Sequence, residues 1–208
     1  MKSFLNNNQL KIIALISMTI DHIGVQLFPN LRILRIIGRL AFPIFAYMIA
    51  EGVKYTKNRK KYLLTISLTA LFCQLIYFFA EKSLDQCILV TFSLSILLIY
   101  ALENDNLIIS LISLIGGFIL TEILNIDYGF LGILTPVFIY FANSKTHKLI
   151  TSGVLMILLG IVMGGVQWYS IFAIPLLALY NGKRGKLNLK YLFYIYYPLP
   201  LGIIYLIK

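Results

Sequence analysis

Nine apolar runs follow one another along this chain, separated by short polar connections. They cover approximately residues 10–28, 34–53, 61–80, 87–102, 107–124, 129–142, 149–166, 167–180 and 191–207. A helix needs about 20 apolar residues to cross a bilayer, with about 17 as a lower limit. The runs 129–142 and 167–180 are short, which fits fragments of tilted neighbours, re-entrant helices or helices buried inside a bundle. The expectation is an all-α, polytopic transmembrane helix bundle of seven to nine spans, nine preferred, forming one domain over residues 1–208. Composition agrees: 60% of residues are hydrophobic and only 12% charged, against about 25% charged in a soluble domain. Such numbers exclude a disordered chain, and two cysteines exclude a disulfide scaffold. The first run has no cleavage-site pattern behind it and reads as a retained span rather than a signal peptide.

The net charge of +10 sharpens this expectation. The basic residues gather between apolar runs, not on a soluble face, so a nucleic-acid partner is not expected. With the N-terminus in the cytoplasm, thirteen of the eighteen Lys and Arg fall on the cytoplasmic side: Lys2, Lys11, Lys54, Lys57, Arg59, Lys60, Lys61, Lys145, Lys148, Lys183, Arg184, Lys186 and Lys190. That is the pattern of the positive-inside rule and predicts a multi-pass protein of the cell (inner or plasma) membrane. The five others are Arg32, Arg35, Arg39, Lys82 and Lys208. Many of the tyrosines stand near span ends, as an aromatic belt requires. Tyr194, Tyr196 and Tyr197 are denser than a belt needs, and lining a cavity is their other reading.

A charge inside the membrane costs at least about 2.5–3.5 kcal/mol on insertion scales and marks a functional position by default. Asp21 and His22 lie past the middle of the first run, followed by Gly24, which permits close helix approach. Adjacent helix positions do not face each other, so Asp21 is expected to meet a cation on another helix. His22 is placed to act as a general base or a covalent carrier; otherwise it is a histidine hydrogen-bonded across helices. His147 sits in a polar stretch and reads as solvated. Arg35 and Arg39 are four apart and share a helical face, which Arg32 extends. Such a stripe suits phosphate or carboxylate through forked bonds, while snorkelling to lipid phosphates explains Arg32 better than the deeper Arg39. Pro43 should kink this second span and free a backbone carbonyl. Glu51 ends the same run beside a basic loop, where an ion pair is the plainer reading. Asp127 flanks an outer turn and is either an N-cap or a partner for an arginine or an amine. The turn Tyr180-Asn181-Gly182-Lys183-Arg184-Gly185 carries topology charge, or cradles a phosphorylated cofactor, though it lacks P-loop spacing. No metal-ligand pattern and no nucleophile elbow stand out.

The pieces LKIIALISMTIDHIG, LRILRIIGRLAFPIFAYMIAEGVKYTKNRKKY, IDYGFLGIL, ALYNGKRG and YLFYIYYPLP run in this order along nearly the whole chain. In that order they resemble the TraX family of membrane proteins, named for a conjugation-linked enzyme that acetylates the amino terminus of pilin. The group is also similar to wider families of polytopic acyl-CoA-dependent acyltransferases, which use a histidine on an early span. The resemblance implies an integral-membrane acetyltransferase with acetyl-CoA as donor, no metal, and an unidentified peptide or small-molecule acceptor. It implies Asp21 and His22 as the catalytic centre, with Arg35 and Arg39 in the acyl-donor or oxyanion part. Glu51, Asp127, Tyr128, Asn181, Lys183 and Arg184 would form the substrate- and cofactor-binding framework. One position departs from the pattern: the family's closing motif ends in His two residues after its Pro, where this chain has Pro200. The competing expectation is a non-enzymatic transporter or scaffold, and the absence of an internal repeat counts against the transporter.

Overall fold

A computed structural model of the protein describes residues 3–82, 86–186 and 195–207. Lys2, Lys190, Tyr194 and Lys208 lie outside the described residues, as does the start of the ninth run. Among the described residues each apolar run is helical. In chain order these are α1 (Asn7–Gln26), α2 (Arg32–Gly38), α3 (Ala41–Tyr55), α4 (Arg59–Glu81), α5 (Ile88–Leu102), α6 (Leu107–Leu124), α7 (Gly129–Phe141), α8 (Lys145–Met163), a 3-10 helix (Gly165–Phe172), α9 (Ala173–Ala178) and α10 (Pro198–Ile207). Among the described residues there is no β-strand, only isolated bridges.

Small polar residues start several of these helices. The first turn of a helix leaves its N–H groups without intrahelical partners. Asn58 accepts from Lys61 N–H at 2.8 Å, Asn106 from Ile108 and Ile109 N–H at 3.0 and 3.3 Å, and Ser144 from His147 N–H at 3.2 Å. At α1 the Asn6 side chain accepts from Gln9 N–H, and the Gln9 side chain accepts from Asn6 N–H, which is a capping box. His147 is exposed in the first turn of α8, in line with a solvated reading.

The second run is interrupted one turn before Pro43, as a proline in the span predicts. Pro43 itself occupies the first turn of α3, where a missing N–H costs nothing. The interruption falls at Arg39 and Leu40, whose N–H groups reach back to Ile36 and Ile37 carbonyls at 3.2 Å in 3-10 fashion. The carbonyl that Pro43 leaves without its helical donor is that of Arg39.

Four helices among the described residues are long and apolar enough to cross a membrane: Arg32–Tyr55 taken through its break, Arg59–Phe79, Leu107–Leu124 and Lys145–Met163. Ile88–Leu102, Gly129–Phe141 and Gly165–Ala178 are apolar but shorter. The outward surface of the long helices is oily. On α6, Leu107, Ile108, Ile112, Ile115, Phe118 and Ile123 are all exposed. A soluble protein rarely shows so continuous an apolar face; lipid is the solvent that suits it.

The chain divides into two compact units, Met1–Met48 with Asn143–Lys208, and Ile49–Ala142. In the second unit α5 is the centre, packed against α4, α6 and α7, with Phe92, Ile96 and Ile99 almost fully covered. Short α5 and α7 are thus largely buried elements. In the first unit α1 packs against α2 and α10, and the 3-10 helix packs against α2 and α8. That first unit holds the charged site.

Candidate functional site

Asp21 stands about three-quarters of the way along α1, and α2 returns alongside it. Two glycines let the helices close up. The Leu34 side chain lies against Gly24, and the Asp21 carboxylate lies against Gly38, where any Cβ would collide with it. Asp21 therefore points into the α1–α2 seam, and both deeper arginines meet it there. Arg39 Nη2 donates to Asp21 Oδ2 at 2.5 Å, and Arg35 Nη1 donates to the same oxygen at 3.2 Å. Side-chain exposure is 14% for Asp21, 11% for Arg39 and 30% for Arg35. The expected interhelical cation for Asp21 is thus a pair of cations. Arg32, by contrast, is exposed at the start of α2, as snorkelling requires.

His22 follows Asp21 on α1 and is half-buried. Successive helix positions diverge by about 100°, so it faces a different direction from the carboxylate. Thr19, half a turn before Asp21, is 3.4 Å from the Tyr196 hydroxyl. Tyr197 is buried edge-on against Phe45 at 6.0 Å between ring centres, and Pro200 is buried in the first turn of α10.

Two site residues lie where the sequence offered no charge or motif to mark them. Arg39 Nη1 donates to Gln167 Oε1 at 3.3 Å, and Gln167 is 3% exposed. Ser170, three residues on, is 0% exposed. Gly164 and Gly165, with φ of +65° and +55°, turn the chain out of α8 and into the 3-10 helix that carries both. The weak signal was an amide and a hydroxyl inside an apolar run, directly after a Gly-Gly pair.

Asn181, Lys183 and Arg184 sit at the far end of α1, some 14 residues or about 21 Å of helix from Asp21. There the loop seals the helix start: Asn7 N–H donates to Lys183 O at 2.9 Å and Asn8 N–H to Arg184 O at 3.3 Å. With Asn6 N–H on the Gln9 side chain at 2.9 Å and Gln9 N–H on the Asn6 side chain at 3.0 Å, all four donors that open α1 are used. Asn181 Oδ1 accepts from Lys183 N–H at 2.9 Å, closing the turn on itself. Lys145 joins this end, donating to Ser3 Oγ, Ala178 O and Tyr180 O at 2.9, 2.6 and 2.7 Å. Three basic segments expected on one side of the membrane therefore meet at one end of α1.

Glu51, Asp127 and Tyr128 belong to the Ile49–Ala142 unit. Glu51 is buried on α3. Asp127 is not the N-cap residue of α7; Tyr128 takes that position at φ +63° with no side-chain cap bond of its own. The Asp127 backbone is held on both sides, its N–H by Gln86 O at 3.2 Å and its carbonyl by Thr91 Oγ1 at 2.8 Å.

Apolar helices facing outward, with a carboxylate, two guanidiniums, an amide and a hydroxyl enclosed in one helical unit, define a helical membrane protein with an interior polar site. This is a member of the TraX protein family, whose match runs over residues 6–208. An uncharacterized protein of Rickettsia prowazekii (strain Madrid E) is 33% identical over 96 residues, 46% of this chain and 37% of that protein. A probable fimbrial assembly protein (FimC, serogroup H1) of Dichelobacter nodosus is 36% identical over 59 residues, 26% of this chain and 24% of that protein. The chain thus covers well under half the length of either relative. No solved structure matches it.

Proposed function

We propose that this TraX-family chain is an integral-membrane acetyltransferase, moving an acetyl group from cytoplasmic acetyl-CoA to an amine, a peptide amino terminus included, or to a hydroxyl. The observation that carries this reading is Asp21 holding Arg35 and Arg39 in the α1–α2 seam, with His22 next in sequence. Burying such ions costs several kcal/mol each before any gain, and packing alone would be served as well by apolar side chains. The three carry a formal charge of +1, a setting that favours an anionic intermediate. His22 takes the proton of the attacking amine or carries the acetyl group. The Dichelobacter relative's name supports an acceptor among the subunits of a surface fibre.

The companion inference is nine crossings of the inner membrane with the N-terminus inside. The meeting of Ser3, Lys145 and the Asn181–Arg184 turn at one end of α1 supports it. The donor then enters at the basic end and its acetyl group reaches Asp21 and His22 in the other half of the bilayer. The test is acetyl transfer by purified protein in lipid discs, with membrane peptides of the host as acceptors and mass spectrometry as readout. His22→Ala should fall to background while remaining folded. A protein that binds no acetyl-CoA at millimolar concentration would instead be a transporter or scaffold.

A further inference from the structure

The buried polar atoms of the first unit without a hydrogen-bond partner among the described residues include Asp21 Oδ1, Gln167 Nε2 and Ser170 Oγ. An orphaned buried polar group costs about 1–3 kcal/mol, and native proteins keep few of them. Two of these residues flank one guanidinium, since Arg39 bonds both Asp21 and Gln167, and Ser170 follows Gln167 three residues on along the 3-10 helix.

The two orphans on the 3-10 helix are related by its geometry. An α-helix would place positions i and i+3 about 60° apart; in a 3-10 helix they eclipse, one turn of about 6 Å apart. Gln167, Ser170 and then Ala173 are the buried positions of this segment, a period of three. Eight residues is long for such a helix, since runs beyond three or four are uncommon. Arg39 also settles which way the Gln167 amide faces. Its donation to Oε1 fixes the oxygen on the arginine side and leaves the amide NH2 on the opposite side, with two N–H groups to give. Hydrogen bonding to a cation at one end of an amide strengthens donation at the other.

We propose that Gln167 Nε2 and Ser170 Oγ are the donors that hold the acyl oxygen of the thioester, an assignment that rests on the acetyltransferase reading. The acceptor's lone pair adds to the carbonyl carbon, and the C=O π pair moves onto the oxygen held by Gln167 and Ser170. When that pair returns, the carbon–sulfur bond breaks and its electrons leave with the CoA sulfur. The proton lost by the amine passes through His22 to that thiolate, so acetyl-CoA and amine become amide and CoA thiol. Arg35 and Arg39 direct guanidinium N–H groups at Asp21. Their part is to set the potential of the site and to lock the amide, while the neutral donors touch the oxygen. Preorganised donors of this kind strengthen as charge develops, and removing one costs about 10²–10³ in turnover.

The experiment uses the full chain in lipid discs with acetyl-CoA carrying ¹³C at the acetyl carbonyl, read by isotope-edited infrared spectroscopy. Bound to the unaltered protein, the carbonyl stretch should move to lower frequency than in solution. Ser170→Ala should lose a large part of that shift, and Gln167→Glu with Ser170→Ala all of it. Affinity should change by less than about ten-fold per donor, the upper range for one neutral hydrogen bond. Ser170→Ala removes an orphan and leaves its neighbours untouched, so its thermal midpoint should be equal or higher; it decides the matter if the double variant fails to fold. Bound acetyl-CoA with an unshifted carbonyl, or a shift equal in all variants, overturns the assignment and leaves the acetyltransferase reading standing. A protein that binds no acetyl-CoA overturns both.

Discussion

Arg39 reaches Asp21 at 2.5 Å and Gln167 at 3.3 Å with two nitrogens of one guanidinium, so residues 146 positions apart in sequence share a single cation. Its backbone lies at the interruption between α2 and α3, with the Arg39 N–H bonded to Arg35 and Ile36 carbonyls at 3.2 Å. The cluster is therefore held from α1, from the α2–α3 break and from the 3-10 helix.

Removing the shared carboxylate leaves two guanidiniums close together without their anion. Asp21→Asn is expected to cost about 3–5 kcal/mol, the range for breaking a buried ion pair by deleting one partner. Arg39→Gln should cost more than Arg35→Gln, because Arg39 is the more enclosed of the two. Thermal unfolding in detergent checks the order, and equal midpoints for all four proteins would contradict it.

Gly38 carries the second expectation. The Asp21 carboxylate occupies the place of its missing side chain, so Gly38→Ala must push the carboxylate off both arginines. The proposed acetyl transfer and the thermal midpoint should fall together. Gly153 on α8 has nothing within 4 Å of the equivalent position, and Gly153→Ala should be neutral or gain up to about 1 kcal/mol from helix propensity. A Gly38→Ala protein as active and stable as Gly153→Ala would remove the close approach from the argument.

Topology gives a third. Ser3, Asn30 and Lys183 are exposed, while the native thiols Cys73 and Cys87 are buried. In cells, a membrane-impermeant maleimide should label Asn30→Cys from outside. Ser3→Cys and Lys183→Cys should react only in inverted vesicles. Labelling of Ser3→Cys and Lys183→Cys from opposite sides would contradict their meeting at one end of α1.

How much of this was readable beforehand follows from what each feature depends on. The helices were legible because a bilayer demands long apolar runs, and the boundaries of α5 and α6 fall within a residue of those expected. That Asp21 needs a cation across a helix seam was legible too, since an unpaired carboxylate there is too costly. Gln167 was not. Its partner Arg39 is 128 residues away, and one amide in an apolar run resembles any polar residue near a span end. The run 167–180 looked like one short helix because apolar residues do not distinguish a period of 3.0 from 3.6. The sealing of α1 by Lys183 and Arg184 runs through their carbonyls, which every residue has.

The last expectation contrasts two carboxylates, each with more than one partner. Glu103 accepts from Arg59 and from the Tyr140 hydroxyl, and Arg59 lies over the Tyr100 ring at 5.2 Å. On a diagram this resembles the Asp21 cluster. Arg59, however, is 53% exposed against 11% for Arg39. Solvent around an exposed pair screens the attraction and already hydrates both ions, so such pairs contribute about 0–1 kcal/mol. Glu103→Gln should therefore shift stability by under about 1 kcal/mol, several times less than Asp21→Asn. A double-mutant cycle with Arg59→Gln should give a small coupling that fades in high salt, whereas the Asp21–Arg39 coupling should persist. If both cycles gave the same energy and the same salt dependence, enclosure would not be what sets the Asp21 cluster apart.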